Sequence, residues 1–250
     1  MSGHSHWAGI KHKKAANDAK RGKVWSKLAR VVIVAARSGG GDPAANLALR
    51  YAIDKAKGAN MPKDTIEKAI KKGTGDVEGV SYEEILYEGY GPSGVAIMVD
   101  ALTDNRNRTA PEFRKIFERH GGSMGASGCV SWMFSKKGGV TVRTENADED
   151  ELMEIALGAG ADDMETSGEV YEITCDPIAY DALIEALKEK EIATEVAEVS
   201  MVPQNTVTIT DLNVARKVLN LMEGFDDHDD VQNVSANFDI SDELVAQLAQ

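Results

Sequence analysis

The spacing of apolar residues is helical up to about Gly79 and switches between strand and helix periods after it, and that division limits the folds open to the chain. Val24, Trp25, Leu28, Val31, Val32 and Ala35 recur at helical spacing, and Gly39-Gly40-Gly41 ends the run. Asp42-Pro43 predicts a restart, with Asp as N-cap and Pro at the first helical position. Leu49, Ala52, Ile53 and Ala56 form a second stripe that stops at Gly58. Pro62 opens a third helix, with Ile66, Ala69 and Ile70 inward and Gly73 as its stop. After Gly79 strands and helices alternate. Strands are expected over 85–88 and 95–100, then a helix opened by the capping box Thr109-x-x-Glu112, then a strand over 129–134.

From Val140 onward the order is strand, helix, strand, strand, helix, strand, which is the ferredoxin-like pattern. The tail adds a strand at Val207 and Ile209, a helix through Ala215, Val218, Leu219 and Met222, and a last strand through Val234, Ala236, Phe238 and Ile240. Strand-helix-strand cannot stand alone, so the tail is expected to complete the sheet begun before residue 135. The expected fold class is α+β. A basic arm (1–21) precedes a three-helix domain (22–79). Two α/β sandwich-type domains follow. One is discontinuous (80–135 plus 204–250), and the other, ferredoxin-like, is inserted into it (136–203).

The net charge of −13 conceals a division along the chain. Residues 1–75 hold 16 Lys/Arg against 5 Asp/Glu, and residues 76–250 hold 12 against 36. The basic part attracts phosphates, and the acidic part repels them and limits how a polyanion can lie. No stretch approaches the roughly 18 apolar residues of a membrane span, and no signal-peptide core follows the first charges. Cys129 and Cys175 lack C-x-x-C spacing and read as free thiols in a reducing, cytoplasmic setting.

Lys68, Lys71 and Lys72 fall at i, i+3, i+4 on the third helix, and Arg50 and Lys57 lie opposite the second helix's core stripe. Like charges at that spacing repel by a few tenths of a kcal/mol per pair, a cost that phosphate neutralisation with counterion release offsets. A single lysine face reads as solvated surface, whereas the whole basic segment reads as a polyanion contact. In the arm, His4, Trp7, Lys11, Lys13, Lys14, Lys20 and Arg21, with Lys23 just beyond, mix cations with an aromatic. That mixture suits base stacking as well as phosphate binding, and docking of the Trp7 indole onto the helices fits equally. The arm's histidines lack a ligand set, so no metal is expected. Arg106 and Arg108 run into a helix N-terminus, either as an anion site or as solvated residues of a turn. The Gly-rich segments match neither a P-loop nor a dinucleotide fingerprint. No nucleophile or catalytic set stands out, so neither an enzyme nor a cofactor is expected.

Several stretches together resemble one family. They are Gly3-His4-Ser5-x-Trp7, Lys13-Lys14-Ala15-Ala16-x-Asp18-x-Lys20-Arg21, Gly39-Gly40-Gly41-Asp42-Pro43, Tyr87-Glu88-Gly89-Tyr90-Gly91-Pro92, Asp104-Asn105-Arg106-Asn107-Arg108-Thr109 and Val199-Ser200-Met201-Val202-Pro203. The chain is similar to the YebC/PmpR family along essentially its whole length. His6 departs from the family's usual Lys, and Trp25 from its Phe. The resemblance implies three domains around a central cleft and a nucleic-acid-binding regulator of gene expression, described as a DNA-binding transcriptional regulator. Relatives that act on translation imply an alternative: a ribosome-associated factor that binds ribosomal or transfer RNA and relieves stalled translation.

Overall fold

The computed structural model describes residues 18–75, 81–241, 244 and 247, with side chains from Gly22 onward. Three helices come first: α1 (Asp18–Gly39), α2 (Leu47–Gly58) and α3 (Lys63–Thr74). The stripes read from the sequence meet in one core. Leu28, Val32, Ile33 and Ala36 of α1 receive Leu49, Ile53 and Ala56 of α2 and Ile66 and Ala69 of α3. Trp25 docks at the edge of this core, its indole N–H donating to the Ala59 carbonyl at 2.9 Å.

Two local expectations are corrected here. Asp42-Pro43 does not open α2. The Asp42 carboxylate accepts the Ala44 N–H, and its carbonyl accepts those of Ala45 and Asn46, which closes a separate turn. The N-cap is Asn46, whose side-chain oxygen accepts the Leu49 N–H at 3.1 Å. Its amide also donates to the carbonyls of Ala35 and Gly40, both at 2.8 Å, so one buried residue joins the end of α1 to the start of α2.

Gly73 is not a stop either. The left-handed residue that ends α3 is Gly75, with φ 87°. Gly73 lies inside the helix against α1, where an added Cβ would sit 2.4 Å from the Ile33 carbonyl oxygen and 2.6 Å from the Ala36 Cβ. Glycine to alanine in a helix ordinarily stabilises by about 1 kcal/mol. Gly73→Ala is expected to reverse that sign and cost about 1–3 kcal/mol by overpacking. Gly58→Ala, with open space around its Cβ, should be neutral or stabilising. Urea melts of the two variants test this, and equal midpoints would refute it.

After residue 81 come β1 (Glu83–Tyr90), β2 (Ala96–Thr103), α4 (Arg106–Arg119) and β3 (Ser123–Met124). Next are β4 (Phe134–Arg143), α5 (Glu149–Gly158), β5 (Ala161–Ser167), β6 (Val170–Cys175), α6 (Tyr180–Glu189) and β7 (Thr194–Pro203). The chain closes with β8 (Val207–Ile209), α7 (Leu212–Asp226), β9 (Val231–Ala236) and β10 (Phe238–Ile240). One sheet has the order β3-β1-β2-β9, with the tail strand β9 antiparallel to β2. A second has the order β5-β6-β4-β7, antiparallel throughout, which is the ferredoxin-like arrangement. The first sheet packs on α4 and α7 through Phe113, Phe117 and Phe225. These rings meet edge to face and are fully buried, each contributing about 1.5–3 kcal/mol by burial.

Three more expectations change. The last strand is two strands, because the Asn237 side chain takes the Ala96 N–H at 2.7 Å and β10 then turns away to pair in parallel with β8. α4 opens at the N-cap Asn105, and Thr109 is a buried residue within its first turns. Residues 129–133 are a loop with a short 3-10 turn rather than a strand. The buried Glu88 carboxylate accepts backbone N–H groups from Gly128, Val130 and Ser131 at 2.6, 2.8 and 2.8 Å, which curls that segment.

Candidate nucleic-acid interface

α3 turns Ile66, Ala69 and Gly73 inward, so Lys68, Lys71 and Lys72 share its solvent face and all three are exposed. Among the described residues none of the three makes an ion pair, whereas Lys63 in the first turn reaches Glu67 at 3.7 Å. Arg50 and Lys57 of α2 are exposed, and Lys57 has Asp54 at 3.6 Å. A different face of α2 turns to the ferredoxin-like unit. Lys55 contacts Glu198 at 3.3 Å, and the Tyr51 hydroxyl donates to Asp181. Burial, then the Asp181 carboxylate, pushes that hydroxyl up to about 12, so it remains a donor at neutral pH. The arm residues His4, Trp7, Lys11, Lys13 and Lys14, and the side chains of Lys20 and Arg21, lie outside the described residues.

Lys23 stands elsewhere, in a junction between α1 and the loop after α7. It donates to the Asp227 carbonyl at 3.3 Å and lies 3.7 Å from that residue's carboxylate. Lys27 donates to the Asp226 carbonyl at 2.7 Å. Arg30 donates to the Asp229 carbonyl and to Asp230 Oδ1, the latter at 3.0 Å. Asp230 is 1% exposed and is the centre of this junction. Its other oxygen accepts from Arg108 at 2.8 Å, from Thr109 at 2.8 Å and from Thr103 at 3.1 Å.

The two arginines expected at the start of α4 therefore separate. Arg108 is held by Asp230 and, at 2.9 Å, by Asp104, so the chain's own carboxylates take the place expected for an outside anion. Arg106 is exposed at the first helical residue.

Asp230, Arg30 and Glu88 are structural centres that the sequence pattern did not single out. The run 226–230 reads as solvated acid. Only the position of Asp230, directly before an alternating strand, hints at burial. For Glu88 the signal is its parity, which places a carboxylate on one strand face with Leu86 and Tyr90.

Cys129 is half-buried and Cys175 is buried; both are free, and burial pushes both thiols up. Among the described residues no group of three or more His, Cys, Asp or Glu is placed to hold a metal ion, and no helix is long and apolar enough to cross a membrane.

Residues 5–76 match the model of the TACO1/YebC protein N-terminal domain, and residues 82–238 match that of the TACO1/YebC second and third domain. A protein of Syntrophobacter fumaroxidans named "Probable transcriptional regulatory protein" is 55% identical over 249 residues, covering 100% of both chains. One of Desulfitobacterium hafniense with the same name is 54% identical over 246 residues, covering 98% of each. The crystal structure of a conserved hypothetical protein, Aq1575 from Aquifex aeolicus, superimposes with a TM-score of 0.86 at 49% identity, covering 95% of this chain and 98% of that one. With both family models matched in order and relatives similar from end to end, the chain belongs to the TACO1/YebC family.

Proposed function

We propose that this chain is a nucleic-acid-binding regulator of gene expression, and that its helical part grips the polynucleotide as a DNA-binding transcriptional regulator. The observation that carries the reading is the α3 face, where three exposed lysines at i, i+3, i+4 have no carboxylate partner among the described residues, in a chain otherwise rich in acid. The name borne by the relatives supports a regulator.

The chemistry of that face favours phosphates over bases. The α3 sequence contains no Arg, Asn or Gln, and its cations are all Lys, whose flexible ammonium acts as a point charge rather than a rigid fork. α2 and α3 both lie on α1 and touch each other little, unlike the mutually packed pair of a helix-turn-helix. These features support a second reading of the same surface, in which a translation factor holds ribosomal or transfer RNA largely by shape.

Changing Lys68, Lys71 and Lys72 together to Glu is expected to weaken binding to duplex DNA or structured RNA by about 100-fold near 0.1 M salt. It should also reduce the slope of log K against log salt by about 3. Fluorescence anisotropy reads both quantities, and circular dichroism checks the fold. Parental affinity and slope in a folded variant would sink the proposal. Crosslinking in cells followed by sequencing of DNA and RNA separates the readings, with promoter enrichment for the first and ribosomal or transfer RNA enrichment for the second.

A further inference from the structure

The acidic part of the chain contains one basic element. Residues 76–250 hold 12 Lys/Arg, and five of them, Arg106, Arg108, Arg114, Lys115 and Arg119, lie on the single helix α4. Helix stability does not account for this concentration. Cations in a first turn oppose the helix dipole, and only Arg119, in the last turn, complements it. Lys115 and Arg119 are also a like-charged i, i+4 pair.

α4 forms one wall of a groove of about 830 Å³ whose other wall is α1 and whose floor is the segment 224–230. Arg108, Glu112, Lys115 and Arg119 fall at i, i+4, i+7 and i+11, a single stripe along the groove, and Lys23 and Arg30 face them from α1. Most acids lining the groove are already engaged. Asp230 is held by Arg30 and Arg108, Asp227 by Lys23, and Glu112 by His228 at 2.9 Å. Among the described residues Lys115 and Arg119 make no ion pair, and both are exposed. The neighbouring His120 senses their side of the groove, since burial and then the Arg119 charge push its imidazole below its ordinary value.

We propose that this groove is a second phosphate-binding surface, on which Lys115 and Arg119 hold the backbone of the nucleic acid that α3 contacts. The inference rests on the polynucleotide reading above and extends it to a part of the chain whose overall charge argues against it. One ligand can serve both surfaces. α3 packs on α1 near Ile33 and Ala36, while the groove begins at Lys23. From Lys23 that offset is about 15–20 Å along the helix, and from Arg30 about 5 Å, so at most about six base pairs separate the two surfaces. The acidic floor sets the direction, because a phosphate backbone is drawn to the α4 wall and kept off Asp227 and Asp229.

The test uses the full chain and a duplex of about 20 base pairs, long enough to reach both surfaces. Lys115→Glu with Arg119→Glu is expected to weaken binding at least about tenfold and to lower the salt slope by about 2. Asp229→Asn, which removes an exposed acid from the floor, should tighten binding a few-fold. Lys115→Gln with Arg119→Gln repeats the measurement with neutral side chains should the Glu variant fail to fold. If the α4 variants bind as the parent does while the α3 variant loses binding, the groove proposal is overturned and the functional reading stands. If α3 and α4 variants both bind as the parent does, the functional reading fails and the groove fails with it.

Discussion

Asp230→Ala is expected to lower the unfolding free energy by about 3 kcal/mol, the low end of the range for removing one partner of a buried ion pair. The low end applies because the partners differ in access to water. Arg108 is 44% exposed and rehydrates readily, whereas the Thr103 and Thr109 hydroxyls are fully buried and, among the described residues, keep only each other and the Asn105 carbonyl as acceptors. A typical domain has about 5–15 kcal/mol in all, so this one side chain is a large fraction of the total. Arg30→Ala leaves the carboxylate its other three donors and should cost only about 1 kcal/mol. Urea denaturation compares them, and a midpoint for Asp230→Ala close to the parent's would disprove the role.

The same carboxylate sets a pH dependence. Burial pushes the Asp230 carboxyl up, but hydrogen bonds from Arg108, Thr109 and Thr103 together outweigh burial and hold it below the ordinary range. A depressed folded-state value means that the unfolded chain takes up the proton first. The stabilisation is complete above the ordinary carboxyl value near about 4 and is lost as pH falls through the lower folded value. The stability difference between parent and Asp230→Ala should therefore be flat at neutral pH and shrink below about pH 4.

The particular residues explain how much of this was legible in the sequence. The helical stripes and the ferredoxin-like order were, because periodicity reports burial and burial made the cores. The α3 lysines were, since helical spacing alone fixes their common face. Local capping was less so. Asp42-Pro43 has the composition of a helix start, yet Asn46 prevails because its side chain meets carbonyls of α1 as well as the Leu49 N–H. Gly73 and Gly75 are alike in composition, and only the approach of α1 tells a contact glycine from a stop. Arg108 reads either as an anion site or as a solvated turn residue, because its partner lies 122 residues away in sequence. A separation of 200 residues likewise hid the pairing of Asp230 with Arg30. Long-range charge pairing leaves no periodic trace, so the junction between α1 and the loop after α7 becomes visible only in three dimensions.

Glu88→Ala is the second change with a large expected effect, and its result should be local as well as global. The carboxylate is 3% exposed and accepts three backbone N–H groups from the loop that leads into β4. Burial pushes its carboxyl up, while the bonds from Gly128, Val130 and Ser131 together outweigh that and hold it below its ordinary value. Alanine leaves three donors without an acceptor at about 1–3 kcal/mol each when buried. Gly128 is exposed and finds water, so a net loss of about 3 kcal/mol is expected. Glu88→Gln keeps the volume but turns an N–H₂ toward N–H donors, and should recover only part of the loss. Cys129 reports on the loop itself. Its thiol is held up by burial and then by the Glu88 charge. Losing both should speed its reaction with a disulfide reagent by tenfold or more, while the fully buried Cys175 serves as a slow internal reference. A destabilised variant whose Cys129 still reacts at the parental rate would mean that the loop keeps its shape without Glu88, and that the carboxylate contributes stability without organising the segment that joins the two sheets.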